Sequence, residues 1–186
     1  MIEVDAVKTP ELITAIEQNL KSKGDIYSDV WKFGLNTAMR IQDLLAIEYS
    51  KLDLDKKEYS LIEMKTNKTR TITLNNGALA VINRRREQYP DDKFLFQSHS
   101  HKLKRNVKKP VSRVTVSRVF KSVGDKLDLH INTHSMRKTR GYMMFKDGRT
   151  LEHICKMLNH SHPAITMAYI GIGKEDIAKS YEEYVL

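Results

Sequence analysis

Leu12, Ile13, Ile16 and Leu20 recur at helical spacing directly after Thr9-Pro10, a pair suited to a helix N-terminus, and predict a first helix running up to Gly24. A second helix is predicted over 26–36, with Val30, Trp31 and Phe33 apolar, and a third from near Arg40 through Ile41, Leu44, Leu45 and Ile47. From Tyr59 to Met64 and from Thr71 to Leu74 the period shortens to alternation with β-branching, which marks short strands. The polar Lys65-Thr66-Asn67-Lys68-Thr69-Arg70 between them reads as a hairpin turn, with Lys65 at the end of the first strand. Asn75-Asn76-Gly77 stops the second strand, 78–89 reads as a helix, and a strand-like Phe-Leu-Phe at 94–96 leads into a basic segment. Helices follow over about 112–127, 134–146, 150–158, 163–170 and 174–185, punctuated by Gly124, Asp147-Gly148, Pro163 and Gly171 to Gly173. The expected class is mainly α with a small antiparallel β-sheet (α+β). Nothing in the composition marks an internal boundary, so 1–186 is expected to be one domain ending in a tail helix.

Composition narrows this picture only a little. At 186 residues, 40% hydrophobic and 30% charged, the chain has ordinary globular values and ample length for a core. No apolar run approaches the ~20 residues that span a bilayer, and the N-terminus lacks the basic-then-apolar order of a signal peptide. A single cysteine, Cys155, leaves no internal disulfide framework and no thiolate zinc cluster, which fits a reducing, cytoplasmic setting without membrane association. The net charge of +9 suits DNA, RNA or anionic lipid, or no polyanion at all.

Four short segments change the picture. Ala38-Met39-Arg40-Ile41-Gln42-Asp43-Leu44-Leu45 places Arg40 at the start of a helix, and Lys65 sits at the hairpin. In His134-Ser135-Met136-Arg137 the His and Arg are three apart and share one helix face. Leu158-Asn159-His160 and Tyr169-Ile170-Gly171 close the set, across a helix break at Pro163. Taken singly, each has a duller reading: Arg40 and Lys65 as surface charges, Tyr169 as one half-buried aromatic among eight tyrosines. A metal reading of His99 and His101, or of His153, Cys155, His160 and His162, lacks an established spacing of donors, so no metal site is expected.

In this order the segments resemble the catalytic domain of the tyrosine recombinases, the phage integrase family, over about residues 9–175. One box alone would be weak; four in order at compatible spacing are strong. The resemblance implies that fold and a site of Arg40, Lys65, His134, Arg137, His160 and the nucleophile Tyr169. Guanidinium forks suit the charge that develops on the non-bridging oxygens of a phosphodiester, so Arg40 and Arg137 would clamp the scissile phosphate. A tyrosine hydroxyl is protonated at neutral pH and needs a base, for which His134 and secondarily His160 are candidates. Lys65 would protonate the departing 5′ oxygen. The implied reaction forms a 3′-phosphotyrosyl link and needs no metal, nucleotide or other cofactor. The alternatives are type IB topoisomerase-like relaxation and a DNA-binding regulator that keeps the fold without turnover.

The same resemblance implies double-stranded DNA as substrate and other protomers in a synaptic tetramer, with a monomer in free solution. Backbone contacts are expected from Lys102, Lys104, Arg105, Lys108 and Lys109 in the basic segment and from Arg113 and Arg118 on the following helix. Asp43 is expected to hold structure rather than to catalyse. Two positions depart from the family pattern: Asn159 stands where glycine is usual, and Lys138 where many members have histidine. The core-binding domain that usually precedes the catalytic domain is expected to be absent, with weak DNA affinity as the consequence. Ile177, Tyr181 and Tyr184 or Val185 form an apolar stripe on the tail, which would pack on its own domain or on a neighbouring subunit.

Overall fold

The computed structural model of the chain describes residues 6–99 and 107–172, with 178, 181–183 and 185 of the C-terminal segment. Helix α1 (Pro10–Lys21) starts as expected: the Thr9 hydroxyl accepts the Leu12 N–H at 3.4 Å, and proline occupies a position whose N–H has no helical partner. Helix α2 (Asp25–Thr37) packs against α1 and four later helices, which is why Val30, Trp31 and Phe33 are all fully buried. It ends at Ala38, left-handed at φ 49°, whose N–H reaches the Gly34 carbonyl at 2.8 Å. That turn delivers Arg40 as the residue capping α3 (Ile41–Leu45).

Strands β1 (Leu52–Asp53), β2 (Glu58–Ile62) and β3 (Thr69–Thr73) form an antiparallel sheet in that order, with Tyr59 opposite Ile72 and Leu61 opposite Arg70. Helix α4 (Asn76–Gln88) follows, capped by the Asn75 side chain on the Ala78 N–H at 3.0 Å. The C-terminal half is α5 (Arg113–Lys126), α6 (Ser135–Lys146), α7 (Leu151–Met157) and α8 (Pro163–Ile170). The mainly helical α+β class with a small antiparallel sheet is what the pattern predicts. None of the described helices is long and apolar enough to cross a membrane.

Some elements differ from expectation. The third helix stops at Leu45, and Ile47 is buried beyond it rather than within it. Strand β1 has only two residues, too short for alternation to register. Of the strand-like 94–96, Phe94 makes one isolated bridge to Glu48, while Leu95 and Phe96 are apolar because they are buried. Strand β2 ends at Ile62, so Lys65 lies in the turn after the strand rather than at its end. The tail helix expected over 174–185 falls largely outside the described residues; Tyr181 and Val185 are exposed.

Two apolar clusters result. A large one joins α1 to α5 and the sheet, with Trp31 edge-on to Phe120 at 5.7 Å and Phe33 edge-on to Phe96 at 5.6 Å. A small one consists of Ala38, Ile154, Leu158 and Ile170, rimmed by partly buried Tyr142, Phe145 and Tyr169 among others. Helix α6 lies between them, giving Met136 to the first and Tyr142, Met144 and Phe145 to the second.

Candidate active site

The site is built around a buried carboxylate. Tyr59, Leu61 and Glu63 alternate onto the inward side of β2 and its extension, and Glu63 is only 1% exposed. Its Oε2 lies 2.6 Å from Arg40 Nη1 in an ion pair, and it accepts hydrogen bonds from Thr66 Oγ1 at 2.8 Å and Asn159 Nδ2 at 2.7 Å. Its Oε1 meets Arg70 Nη1 at 3.4 Å. Arg70 Nη2 in turn donates to the carbonyls of Thr37 at 3.3 Å and Met157 at 2.7 Å. One side chain thus connects the end of α2, the hairpin turn and the segment after α7.

Arg137, 2% exposed, comes up from α6 beside this network. Its Nη1 donates to the Ala38 carbonyl at 2.5 Å and its Nη2 to the Leu158 carbonyl. A guanidinium has five N–H donors, so these two bonds fix the group while leaving donors for a ligand. His134, the residue capping α6, has Nδ1 3.3 Å from the Tyr169 hydroxyl. The His160 ring is edge-on to the Tyr169 ring at 5.0 Å, held by Nδ1 against Thr166 Oγ1 at 3.0 Å. Lys138 Nζ lies over the tyrosine ring, 5.3 Å from its centroid.

The electrostatics follow from crowding positive charge into a half-buried space. Burial pushes Tyr169 above its ordinary value, and the charges of Arg137 and Arg40 pull it partly back, so the hydroxyl is protonated at neutral pH. Burial, then Arg137 and Arg40, lower His160 to about 4; burial, then Arg137, Lys65 and Lys138, lower His134. Both imidazoles are therefore neutral at pH 7 and able to accept a proton. Burial lowers even Arg137 to about 10, which still leaves it charged at neutral pH. Arg40, Arg70 and Arg137 face Glu63 and Asp43, so the guanidinium groups outnumber the carboxylates.

Comparison with known sequences adds the deciding observation: the sequence profile of the phage integrase family matches residues 4–175. The chain belongs to the phage integrase family. It is 29% identical over 183 residues to the probable integrase/recombinase YoeC of Bacillus subtilis (strain 168), covering 97% of each chain. The crystal structure of XerA recombinase superposes with a TM-score of 0.74 at 15% identity, over 98% of this chain and 65% of that one. A lambda integrase (75-356) dimer bound to a COC' core site superposes with a TM-score of 0.72 at 16% identity, over 91% of this chain and 60% of that one. The chain thus spans nearly all of YoeC but about two-thirds or less of these two solved chains. By family and fold it is an enzyme of the tyrosine recombinase class.

Of the residues singled out in this integrase-family sequence, Arg40, His134, Arg137, His160 and Tyr169 come together. Lys65 is exposed in the β2–β3 turn, near enough for its charge to lower His134. Asp43 is 3% exposed, and its Oδ1 accepts the Met64 N–H at 2.9 Å, tying α3 to the turn beside Lys65. Asn159 has φ 51°, a left-handed backbone that asparagine tolerates better than most residues, and its side chain reaches Glu63 as no glycine could. His162 caps α8, its Nδ1 accepting the Ala164 N–H at 3.1 Å. His99 lies against Asp92 at 3.0 Å and stacks on Tyr89.

Lys102, Lys104 and Arg105 lie outside the described residues. Lys108 and Lys109 are exposed, with Lys108 Nζ donating to the Asp91 carbonyl at 2.6 Å. Arg113 and Arg118 line an open groove that runs along α5 to Asn132, Thr133 and His134. Lys121 lines the same groove and escaped the sequence reading, although three residues separate it from Arg118, one helical face. Glu63 and Arg70 also escaped it. Their signal was an acid and a base in line with the inward positions Tyr59, Leu61 and Ile72 of the two strands.

Proposed function

We propose that this chain cuts and rejoins double-stranded DNA by transesterification, with Tyr169 as nucleophile. The observation that carries the reading is the surplus of guanidinium charge from Arg40 and Arg137 beside a protonated tyrosine hydroxyl within reach of a neutral imidazole. A phosphodiester is the ligand that would balance that charge, and its transition state would do so better than its ground state. The Tyr169 oxygen attacks phosphorus while its proton passes to His134 Nδ1. The bond to the 5′ oxygen breaks, and Lys65 supplies the proton that makes the departing group a 5′ hydroxyl. A 3′-phosphotyrosyl link remains, and attack on it by a 5′ hydroxyl of the same or a partner strand reverses the chemistry. His160 orders the tyrosine ring and offers its free ring nitrogen to a phosphate oxygen. This route assigns no step to a metal or other cofactor.

Residues 1–186 act in this reading as one catalytic domain, monomeric alone and assembled with other protomers into a synaptic tetramer on DNA. The lambda integrase solved as a DNA-bound dimer supports DNA and further protomers as partners. The test is a nicked suicide duplex, in which the 5′ hydroxyl product diffuses away and traps the covalent intermediate. Wild type accumulates a protein–DNA adduct, whereas Tyr169→Phe binds the duplex and forms none. An adduct that survives Tyr169→Phe would assign the nucleophile elsewhere.

A further inference from the structure

Arg40, the Lys65 turn and the segment that presents His160 come from separate parts of the chain, and each meets Glu63. Its Oε2 is shared by Arg40 Nη1 at 2.6 Å, Thr66 Oγ1 at 2.8 Å and Asn159 Nδ2 at 2.7 Å. Its backbone closes the turn as well: the Glu63 N–H donates to Lys68 O at 3.0 Å, and the Asn67 N–H donates to Glu63 O at 2.9 Å. Lys65 therefore projects from a turn whose base is fixed by the side chain and main chain of one residue. Through Arg70, Glu63 also reaches the carbonyls of Thr37 and Met157, the ends of α2 and α7.

We propose that Glu63 is a positioning residue that sets Arg40, the Lys65 turn and the Asn159-His160 segment in one geometry around the scissile phosphate. The inference rests on the phosphotyrosine reading above. The physical reason is that a long cationic side chain beside two other guanidinium groups is repelled from where the phosphate needs it. A buried carboxylate holds it there before the phosphate arrives, so the site is assembled in advance and little reorganisation accompanies the reaction. A single oxygen shared by Arg40, Thr66 and Asn159 makes their positions interdependent. An apolar residue at 63 would complete the strand face but leave these donors without a common acceptor.

Glu63→Gln separates positioning from folding, because the amide keeps the size and an acceptor but loses the charge that holds Arg40. Wild type, Glu63→Gln, Glu63→Asp and Tyr169→Phe are compared on the nicked suicide duplex, with duplex affinity and melting temperature measured on the same samples. The proposal expects adduct formation by Glu63→Gln to be slower by ~10–100-fold, with duplex affinity equal to or tighter than wild type because one negative charge is gone. Glu63→Asp keeps the charge but reaches less far, so its rate falls between the two. A rate that falls only in step with lost affinity or lost folded protein overturns the proposal, as does an unchanged rate in Glu63→Gln. Absence of an adduct from wild type overturns the phosphotyrosine reading and this proposal together, whereas a normal wild-type adduct with an indifferent Glu63→Gln overturns this proposal alone.

Discussion

The two apolar clusters carry different parts of the site. Arg40 leaves from α3, whose Ile41, Leu44 and Leu45 belong to the large cluster, and Glu63 extends a strand whose Tyr59 does too. Tyr169 belongs to the rim of the small cluster, where Ala38, Ile154, Leu158 and Ile170 are the fully buried apolar members among the described residues. Arg137 spans the two, rooted beside Met136 and bonded to carbonyls of Ala38 and Leu158, both members of the small cluster. Local opening is governed by how much apolar surface a segment buries. Arg40 and Glu63 therefore sit on the rigid side, and Tyr169, the proposed nucleophile, sits on the side that opens more easily. On the proposed reaction, a tyrosine that engages and releases DNA is well placed there.

The largest effect expected from breaking this contrast is in the cores themselves. Phe33→Ala should cost ~3–5 kcal/mol and destabilise the whole domain. Ile170→Ala should cost nearer ~2 kcal/mol, because most of the side chains packed on its small cluster are only partly buried and free to close in. Denaturant unfolding measures both totals, and amide exchange locates them. Ile170→Ala should speed exchange in α7 and α8 while leaving α1 and α2 protected; uniform loss of protection would mean that the two clusters open as one.

A sharper probe makes the same change on the two sides of α6. A Cβ added at Gly141 would come within 2.6 Å of Ile170 Cγ2 and 3.3 Å of Leu158 Cδ1, so Gly141→Ala drives α8 away from α6. A Cβ added at Gly34 would collide with Met136 Sδ and lie 3.2 Å from its Cβ, within the large core. Overpacking of this kind costs ~1–3 kcal/mol, offset by the ~1 kcal/mol that alanine gains over glycine in a helix. Gly141→Ala should slow adduct formation by ~10-fold or more through a displaced Tyr169, at little loss of melting temperature. Gly34→Ala should show the reverse balance. Equal losses of rate and stability in both variants would remove the distinction.

Much of this division was legible in the sequence, for identifiable reasons. Trp31, Phe33 and Ile16 announce the large core because helical periodicity and burial coincide there. Arg40, His134, Arg137, His160 and Tyr169 were picked out because their short segments resemble a family's motifs in order, and the fold brings the five together. Glu63 and Arg70 were not: a strand carrying one acid reads as half-exposed until register shows which side faces inward, and Arg70 fell in the predicted turn, whereas β3 begins at Thr69. The register is set by pairing across the hairpin, Leu61 opposite Arg70, which no single segment encodes. Phe94 to Phe96 misled for a related reason: an apolar run reports burial, not backbone form.

The pH response probes the small cluster without changing its packing. His160 titrates at about 4 in the folded chain against an ordinary 6.5, so the unfolded chain binds the proton more readily. The resulting stability is fully present above pH 6.5 and is lost as pH falls towards 4. Because the ring is partly exposed, the amount is on the order of 1–2 kcal/mol after solvent screening. His160→Gln should flatten the melting temperature between these limits. A variant with wild-type acid sensitivity would place the titrating group elsewhere, His134 being the next candidate because its pKa is lowered as well.

The smallest effects belong to the exposed side of α5, whose buried side, Val116, Phe120 and Val123, is part of the large core. Arg113, Arg118 and Lys121 face the groove that ends at His134, so their substitution leaves the core untouched and changes stability by less than ~0.5 kcal/mol. If each meets one phosphate, Arg118→Gln or Lys121→Gln should reduce the slope of log affinity against log salt by ~0.9. Fluorescence anisotropy of a labelled duplex across a salt series gives that slope directly. Lys108 is the internal control, since its ammonium already donates to the Asp91 carbonyl at 2.6 Å and stands outside the groove residues. Lys108→Gln should therefore change the slope less than Arg118→Gln. Equal changes would mean that charge anywhere on this side of the protein attracts the duplex, and that the groove does not define its path to Tyr169.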